Sequence, residues 1–413
     1  MTMRRSGALL TGCGAAVVAA LLADPVCGQS ITSLGVLAGG TSSQAAAVSG
    51  DGSVVVGTSG SASGNRAFRW TAAGGMQSLG VLSGDSYSGA NGVSRDGMVV
   101  AGGSGTPFGG RAFKWSVTAG MQNLGPQSGG FISSAVDANA DGSVMVGWRH
   151  SGSIRAFRMA TGSAAQNLGV LAGGSSSTAN AASGDGSTVI GVSGSSAGDR
   201  AFRWTATGGM QSLGVLSGTG TSSAKGVSDD GAVVVGVSDS AAGSRAFRWT
   251  ASGGMQDLGV LPGGETSAAN GVSGDGLVIV GQSGSRDGSG AFVWSQGRGG
   301  MVSLQEHLSE IGADLTGWSA LTSATGISAD GRFVVGSGVY QGSIRAFIAD
   351  LQVPEPPPCP GELDGNGAVD AGDISTLLLE FGQSGGPADL DGSGTVDAGD
   401  LSVLLTLFGP CAG

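Results

Sequence analysis

SVVVG at residues 53–57, RAFRWT at residues 66–71 and MQSLGVL at residues 76–82 decide the fold, because the chain writes them repeatedly. The first is a continuous apolar run, suited to a strand buried on both faces. The second alternates charged and apolar side chains, as a half-exposed strand does. Gly74-Gly75 then turns the chain into the third. A short run at residues 45–49 precedes them and reaches SVVVG through Gly50-Asp51-Gly52. Asp-Gly between apolar runs signals a hairpin, since glycine supplies the positive φ of the turn. Four strands of roughly 5–6 residues with their turns fill about 45 residues.

Ser78–Gln122 repeats Ser33–Gln77 in register. Leu-Gly recurs at Leu34, Leu79, Leu124, Leu168, Leu213 and Leu258, in steps of 45, 45, 44, 45 and 45 residues, and Leu304 follows without its glycine. Asp-Gly recurs at Asp51, Asp96, Asp141, Asp185, Asp230, Asp275 and Asp330, and Ala-Phe at Phe68, Phe113, Phe157, Phe202, Phe247, Phe292 and Phe347. A four-stranded unit of this length matches one β-propeller blade. A β-helix coil is roughly half as long, and a sandwich does not account for the strict period. The expected fold is therefore an all-β, seven-bladed propeller. Its ends point to closure. Ile31–Leu37 is a fourth strand with no blade before it, and the last repeat, Ala324–Leu351, has three strands. Joining them removes exposed strand edges.

The chain has 413 residues, of which 83 are glycine, without the Gly-X-Y period of collagen. With 40% apolar and 12% charged residues it can bury a core. The net charge is 19 − 30 = −11. Nine of the acids fall in residues 359–413, which contain no Lys or Arg. Nucleic-acid binding requires a basic face and is not indicated. Arg4 and Arg5, the apolar run from Ala8 to Ala23 and Val26-Cys27-Gly28 read as an export signal over residues 1–28, with cleavage after Gly28. Leu10-Thr11-Gly12-Cys13 offers a lipoprotein signal as the alternative. The apolar run is short for a membrane span, so no transmembrane segment is expected in the mature chain. Cleavage leaves Cys359 and Cys411, which an exported chain is expected to pair as a disulfide, two free thiols being the other reading.

Residues 29–351 are thus the expected propeller, residues 352–358 a stiff proline-rich linker and residues 359–413 a second domain. That domain contains ELDGNGAVDAGD (Glu362–Asp373) and DLDGSGTVDAGD (Asp389–Asp400). As twelve-residue calcium loops, the first offers Glu362, Asp364, Asn366, Asp370 and Asp373, with a backbone carbonyl from Ala368. The second offers Asp389, Asp391, Ser393, Asp397 and Asp400, with a carbonyl from Thr395. Two calcium ions are expected. The alternative is a flexible acidic tail, which would not need matched register. Each loop precedes an amphipathic stretch: Ile374, Leu377, Leu378 and Phe381, then Leu401, Leu404, Leu405 and Phe408. These are expected to pack face to face.

The Arg-Ala-Phe-Arg-Trp, Gly-Gly-Met-Gln and Leu-Gly-Val-Leu motifs over residues 31–351 resemble the extracellular HAF-repeat family. Arg66, Arg111, Arg155, Arg200, Arg245 and Arg345, with Gly290 in the sixth repeat, stand where that family's name has His. The resemblance implies an exported repeat protein without a defined activity. The paired loop–helix units of residues 359–413 resemble the type I dockerin module, which implies a calcium-dependent attachment to a cohesin-like or cell-envelope protein. Loop positions 10 and 11, which often contact cohesin in that family, are Ala371-Gly372 and Ala398-Gly399 here, which leaves the partner open.

No catalytic constellation emerges. The two histidines, His150 and His307, have no partner at a metal-ligand or triad spacing. Residues copied into every blade read as turn formers and blade locks, and the repeated tryptophans as core, with sugar platforms the alternative. Positions that break the repeat are better ligand candidates: Trp148, Arg149, His150, Trp318 and Tyr340, with Tyr87 and Phe108. Three functions fit: an exported non-catalytic propeller binding a glycan or protein, a polysaccharide lyase or hydrolase carrying the same module, and a structural cell-surface protein.

Overall fold

The computed structural model describes residues 31–106, 109–125, 132–286, 288–298 and 300–351. In the C-terminal region it describes residues 361, 363, 368–369, 371–384, 388–391 and 393–410. The expected export signal, the linker, Phe108, Cys359, Cys411, Glu362, Asp364, Asn366 and Asp370 lie outside these residues.

Residues 31–351 form a seven-bladed β-propeller. Blade one comprises Ser43–Val48, Val55–Ser59, Arg66–Thr71 and Gly75–Ser78, paired in that order as an antiparallel sheet. Blades two to six begin with Tyr87–Val93, Ile132–Ala138, Ser177–Ala182, Ser222–Val227 and Ser267–Val272 and have the same order. Blade seven is composite. Trp318–Ile327, Phe333–Tyr340 and Ser343–Asp350 are completed by Ile31–Ser33, which pairs Ile31 with Ala349 and Ser33 with Phe347. The orphan first strand therefore closes the ring as its sequence requires.

Each blade is built around one apolar rule. The Ala-Phe phenylalanine is fully buried in six blades, and Phe157 is 3% exposed. Its ring lies on the glycine that ends the preceding apolar run. A Cβ on Gly191 would stand 2.0 Å from Thr178 O and 2.9 Å from the Phe202 ring. Every turn of the Asp-Gly type is tied by side chains: the Ser183 hydroxyl donates to Asp185 at 2.7 Å, and Thr188 N–H donates back to that hydroxyl at 3.0 Å. The Ser187 N–H and the hydroxyls of Ser183 and Ser187 hold the Asp185 carboxyl below the usual carboxylate range.

Five of the six repeated arginines are seam locks, and the sixth, Arg111, pairs instead with Asp85 in the loop before its own blade. Arg66 donates to Ser86 O at 2.7 Å, Arg200 to Gly220 O at 2.7 Å and Arg345 to Thr41 O at 2.6 Å, each reaching the loop before the next blade. The second basic residue of the motif reaches the next Asp-Gly turn, as Lys114 does to Gly142 O at 3.0 Å and Arg158 to Gly186 O at 2.8 Å. Trp204 is buried, while Trp70, Trp115, Trp249 and Trp294 pack half-buried against the cores between blades.

The fourth strands are shorter than MQSLGVL suggests. In blade one the strand ends at Ser78, and Ile31–Ser33 likewise ends before Gly35. Gly80 and Gly35 take φ of 78° and 72°, which ends the extended run. The leucine of each Leu-Gly still donates its N–H to the neighbouring strand, as Leu79 does to Ala67 O at 2.9 Å.

In the C-terminal module, helices form over Ala371–Leu379 and Ala398–Thr406, and Ala368–Val369 pairs with Gly409–Pro410. Val369, Leu377, Ala388, Val396 and Leu404 make its core, with Ile374 and Leu401 half-buried against it. The expected wider packing face is not formed: Leu378, Phe381, Leu405 and Phe408 are exposed. Each helix has only nine residues, and the two phenylalanines lie beyond its last turn. Among the described residues no helix is long and apolar enough to cross a membrane.

Candidate functional site

Three places carry chemistry: the axial channel, the clefts between blades and the second acidic loop.

The first strand of every blade faces the axis. Each contains a β-bulge, at Ala46, Asn91, Val136, Asn180, Lys225, Asn270 and Thr325. A bulged residue is released from the ladder and can re-aim its side chain. Asn91 donates to Ala135 O at 2.8 Å, Asn180 to Ala224 O at 2.7 Å, Asn270 to Ala324 O at 2.8 Å and Thr325 to Ala45 O at 3.0 Å. The bulge side chains thus tie each of these blades to the next. Lys225 instead donates to Asn270 Oδ1 at 2.8 Å. Val136 has no polar group, and the next residue takes over: Asp137 Oδ2 accepts from Ala182 N–H of blade four at 3.1 Å. A side chain at Gly92 would leave no room for it, since a Cβ there would stand 2.8 Å from Asp137 Oδ1.

One end of the channel is ringed by main-chain hydrogen bonds. Gly50 N–H donates to Arg95 O, Arg95 to Ala140, Ala140 to Gly184, Gly184 to Asp229, Asp229 to Gly274, Gly274 to Ala329 and Ala329 back to Gly50, all at 2.9–3.0 Å. Five of these seven residues are Gly or Ala; the other two, Arg95 and Asp229, form an ion pair between blades two and five. The channel space is about 220 Å³ and open to solvent. Burial pushes the Asp137 carboxyl up to about 7, against the opposing pull of the Ala182 and Ala138 N–H groups and the Arg95 charge. Burial also lowers the Lys225 ammonium.

The repeat-breaking residues do not converge on one site but meet in two separate pairs, Trp148 with Tyr87 and Trp318 with Tyr340. Trp148 pairs with Ser134 and Ala156 within blade three and lines a cleft of about 550 Å³ with Tyr87 and Asn91. Arg149 donates to Ala165 O at 3.4 Å, and His150 is exposed at the end of its strand. Trp318 is buried in blade seven, 4.9 Å from the Tyr340 ring and edge-on to Phe347 at 5.8 Å. His307 is buried in the helix Leu304–Glu310.

In the acidic module, ligand oxygens of Asp389, Asp391 and Asp400 lie within 4.8 Å of one another. Asp400 is fully buried: its Oδ1 accepts from Leu390 N–H at 2.6 Å and Asp391 N–H at 3.0 Å, and its Oδ2 from Asp397 N–H at 2.7 Å. Asp389 Oδ1 is buried without a hydrogen bond. Asp397 caps the following helix through Gly399 N–H at 2.6 Å, Ser393 donates to Thr395 O at 3.1 Å, and both Ser393 and Thr395 are exposed. In the first loop, Asp373 is fully buried and accepts from Leu363 N–H at 2.5 Å, the same contact that Asp400 makes with Leu390; Ala368 lies in the paired segment. Sequence spacing identified these acids. It did not identify the channel set, because the bulge residue changes from blade to blade.

No family model and no curated protein matches the chain. Solved structures do. Oligogalacturonate lyase from Vibrio parahaemolyticus aligns at TM-score 0.50 and 11% identity, over 78% of this chain and 93% of that one. The β-propeller domain of Myceliophteria thermophila Cps50 (Swd1) aligns at 0.48 and 10%, over 78% and 99%. TolB from Acinetobacter baumannii aligns at 0.39 and 16%, over 52% of each chain, so this chain spans about half of that TolB. At these identities the likeness concerns the fold.

Proposed function

We propose that this chain is an exported, non-catalytic propeller that binds a glycan or protein and is tethered or assembled through a calcium-dependent C-terminal module. The observation that carries the proposal is the convergence of Asp389, Asp391 and Asp400. Three carboxylates this close repel one another unless a cation sits among them. Hard oxygen donors at loop positions 1, 3 and 12 suit calcium, and an aspartate at position 9 acts through water in such loops. The orphaned Asp389 Oδ1 supplies one free ligand atom. The first loop repeats the pattern in sequence and shares the buried position-12 aspartate, Asp373. In the propeller, the repeated Arg and Asp side chains are engaged in seams and turns, which favours a rigid scaffold over a site repeated in each blade.

Calcium titration of the full chain by calorimetry tests this reading. Two binding events are expected, Asp400→Ala removing one and Asp373→Ala the other. Absence of heat with calcium in the intact chain would sink it. Retention of polysaccharides, oligogalacturonates among them, without chain cleavage separates a binder from an enzyme.

A further inference from the structure

Every repeat but blade six carries an arginine at one position, and in five of those six it locks the seam to the next blade. Arg111 of blade two instead pairs with Asp85 and donates to Ser83 O in the loop before its own blade. In blade six the position is Gly290. In blades one, three, four, five and seven this arginine donates to the carbonyl of the residue before it and to a carbonyl in the loop of the next blade. At the seam between blades six and seven the corresponding space is a cavity of about 510 Å³. Ser289, the residue before the missing arginine, lines it, and so do residues 319–321, where the next blade would present its carbonyl. The seam does not depend on the lost lock, because the helix Leu304–Glu310 seals it with the fully buried Leu304 and Leu308. That helix also brings Glu306 to the cavity wall, an acid with no counterpart in the other blades.

We infer that this cavity is a guanidinium socket, filled by an arginine side chain from a partner polypeptide where five other blades supply their own. The reasoning is internal to the chain: five seams show what such a pocket holds, and the sixth has the walls without the occupant. Glu306 adds a charge-assisted partner for the planar fork. The one opposing charge is Arg286, which lines the same cavity and is exposed like Glu306. The inference does not depend on the calcium module.

Calorimetric titration of the full chain with an acetyl-Gly-Arg-Gly-amide peptide, with free L-arginine and with the lysine peptide tests it. The arginine peptide is expected to bind, with the lysine peptide about tenfold weaker or worse. Free arginine binding as tightly as the peptide would assign the socket to a small molecule and overturn the choice of a polypeptide. Glu306→Gln is expected to weaken the peptide about tenfold. Gly290→Arg restores the lock from within: Gly290 has no positive φ, and a Cβ there meets only the Leu261 side-chain end at 3.3 Å. It is expected to abolish binding and raise the melting temperature. Binding that survives Gly290→Arg, or that appears only in Arg286→Ala because Arg286 itself fills the socket, overturns the inference.

Discussion

Removing Ile31–Leu34, so that the chain starts at Gly35, opens the ring at one seam of one sheet. The cost follows from what those residues bury. Ile31 and Leu34 are each 4% exposed, and each loses about 2 kcal/mol of transfer energy on exposure. Ladder bonds alternate along an antiparallel pair, so the Thr32–Ile348 pair contributes two and the Leu34 N–H to Ala346 O bond a third, together about 3 kcal/mol net at about 1 kcal/mol per bond. The total, about 7 kcal/mol, is comparable with the whole stability of a typical domain, about 5–15 kcal/mol. Urea unfolding should show a large fall in midpoint. Light scattering should show association, because the Ser343–Asp350 edge is left unpaired. Ile31→Ala is the graded version, expected to cost about 2–4 kcal/mol without opening the ladder. A truncated chain that stays monomeric and unfolds at the full-length midpoint would refute the closure argument.

Further outcomes follow from the same geometry. Asp137 ionises in the unfolded chain near 3.8 but in the fold near 7, so between those values the native state holds the extra proton and stability falls as pH rises. The fall is at most about 4 kcal/mol, less where channel water screens the charge, and Asp137→Asn should flatten it in pH-dependent urea melts. The turn carboxyls of Asp141, Asp185 and Asp230 are lowered by hydrogen bonds from their own turns, so they act oppositely: their contribution is present above about 3.8 and is lost as pH falls below it. Maximum stability is therefore expected between about pH 4 and 5. Gly191→Ala should prevent soluble folding, or cost more than about 3 kcal/mol, because its Cβ would strike Thr178 O and the Phe202 ring. Asn180→Ala, which removes one seam bond, should cost only about 1 kcal/mol in the same assay.

Sequence reading recovers what is repeated and misses what is not. Arg66–Thr71 is a strand with the bounds its alternation gives, and the pairing of Ile31–Ser33 with the last blade follows from counting strands. The extent of MQSLGVL is misread because apolar periodicity does not register the positive φ of Gly80. The module helices are misread on Leu378 and Leu405: an i, i+3, i+4, i+7 pattern implies a face wide enough to cover them, but of its apolar residues each nine-residue helix fully buries one, Leu377 or Leu404. The channel is not legible at all. Its lining residue is Ala, Asn, Val, Asn, Lys, Asn and Thr in turn, and what makes these positions equivalent is a backbone bulge that leaves no composition behind.

The axial ring of amide bonds runs in one rotational sense, each blade giving to its successor and receiving from its predecessor. The arginine locks and the bulge asparagines run in that same sense. Nothing in such a circuit counts to seven. A propeller with one repeat copied or deleted would still match every main-chain donor of the ring to an acceptor, so those bonds leave blade number to the wedge shape of the packed sheets. The ring of amide bonds is thus indifferent to the number of 45-residue units it joins.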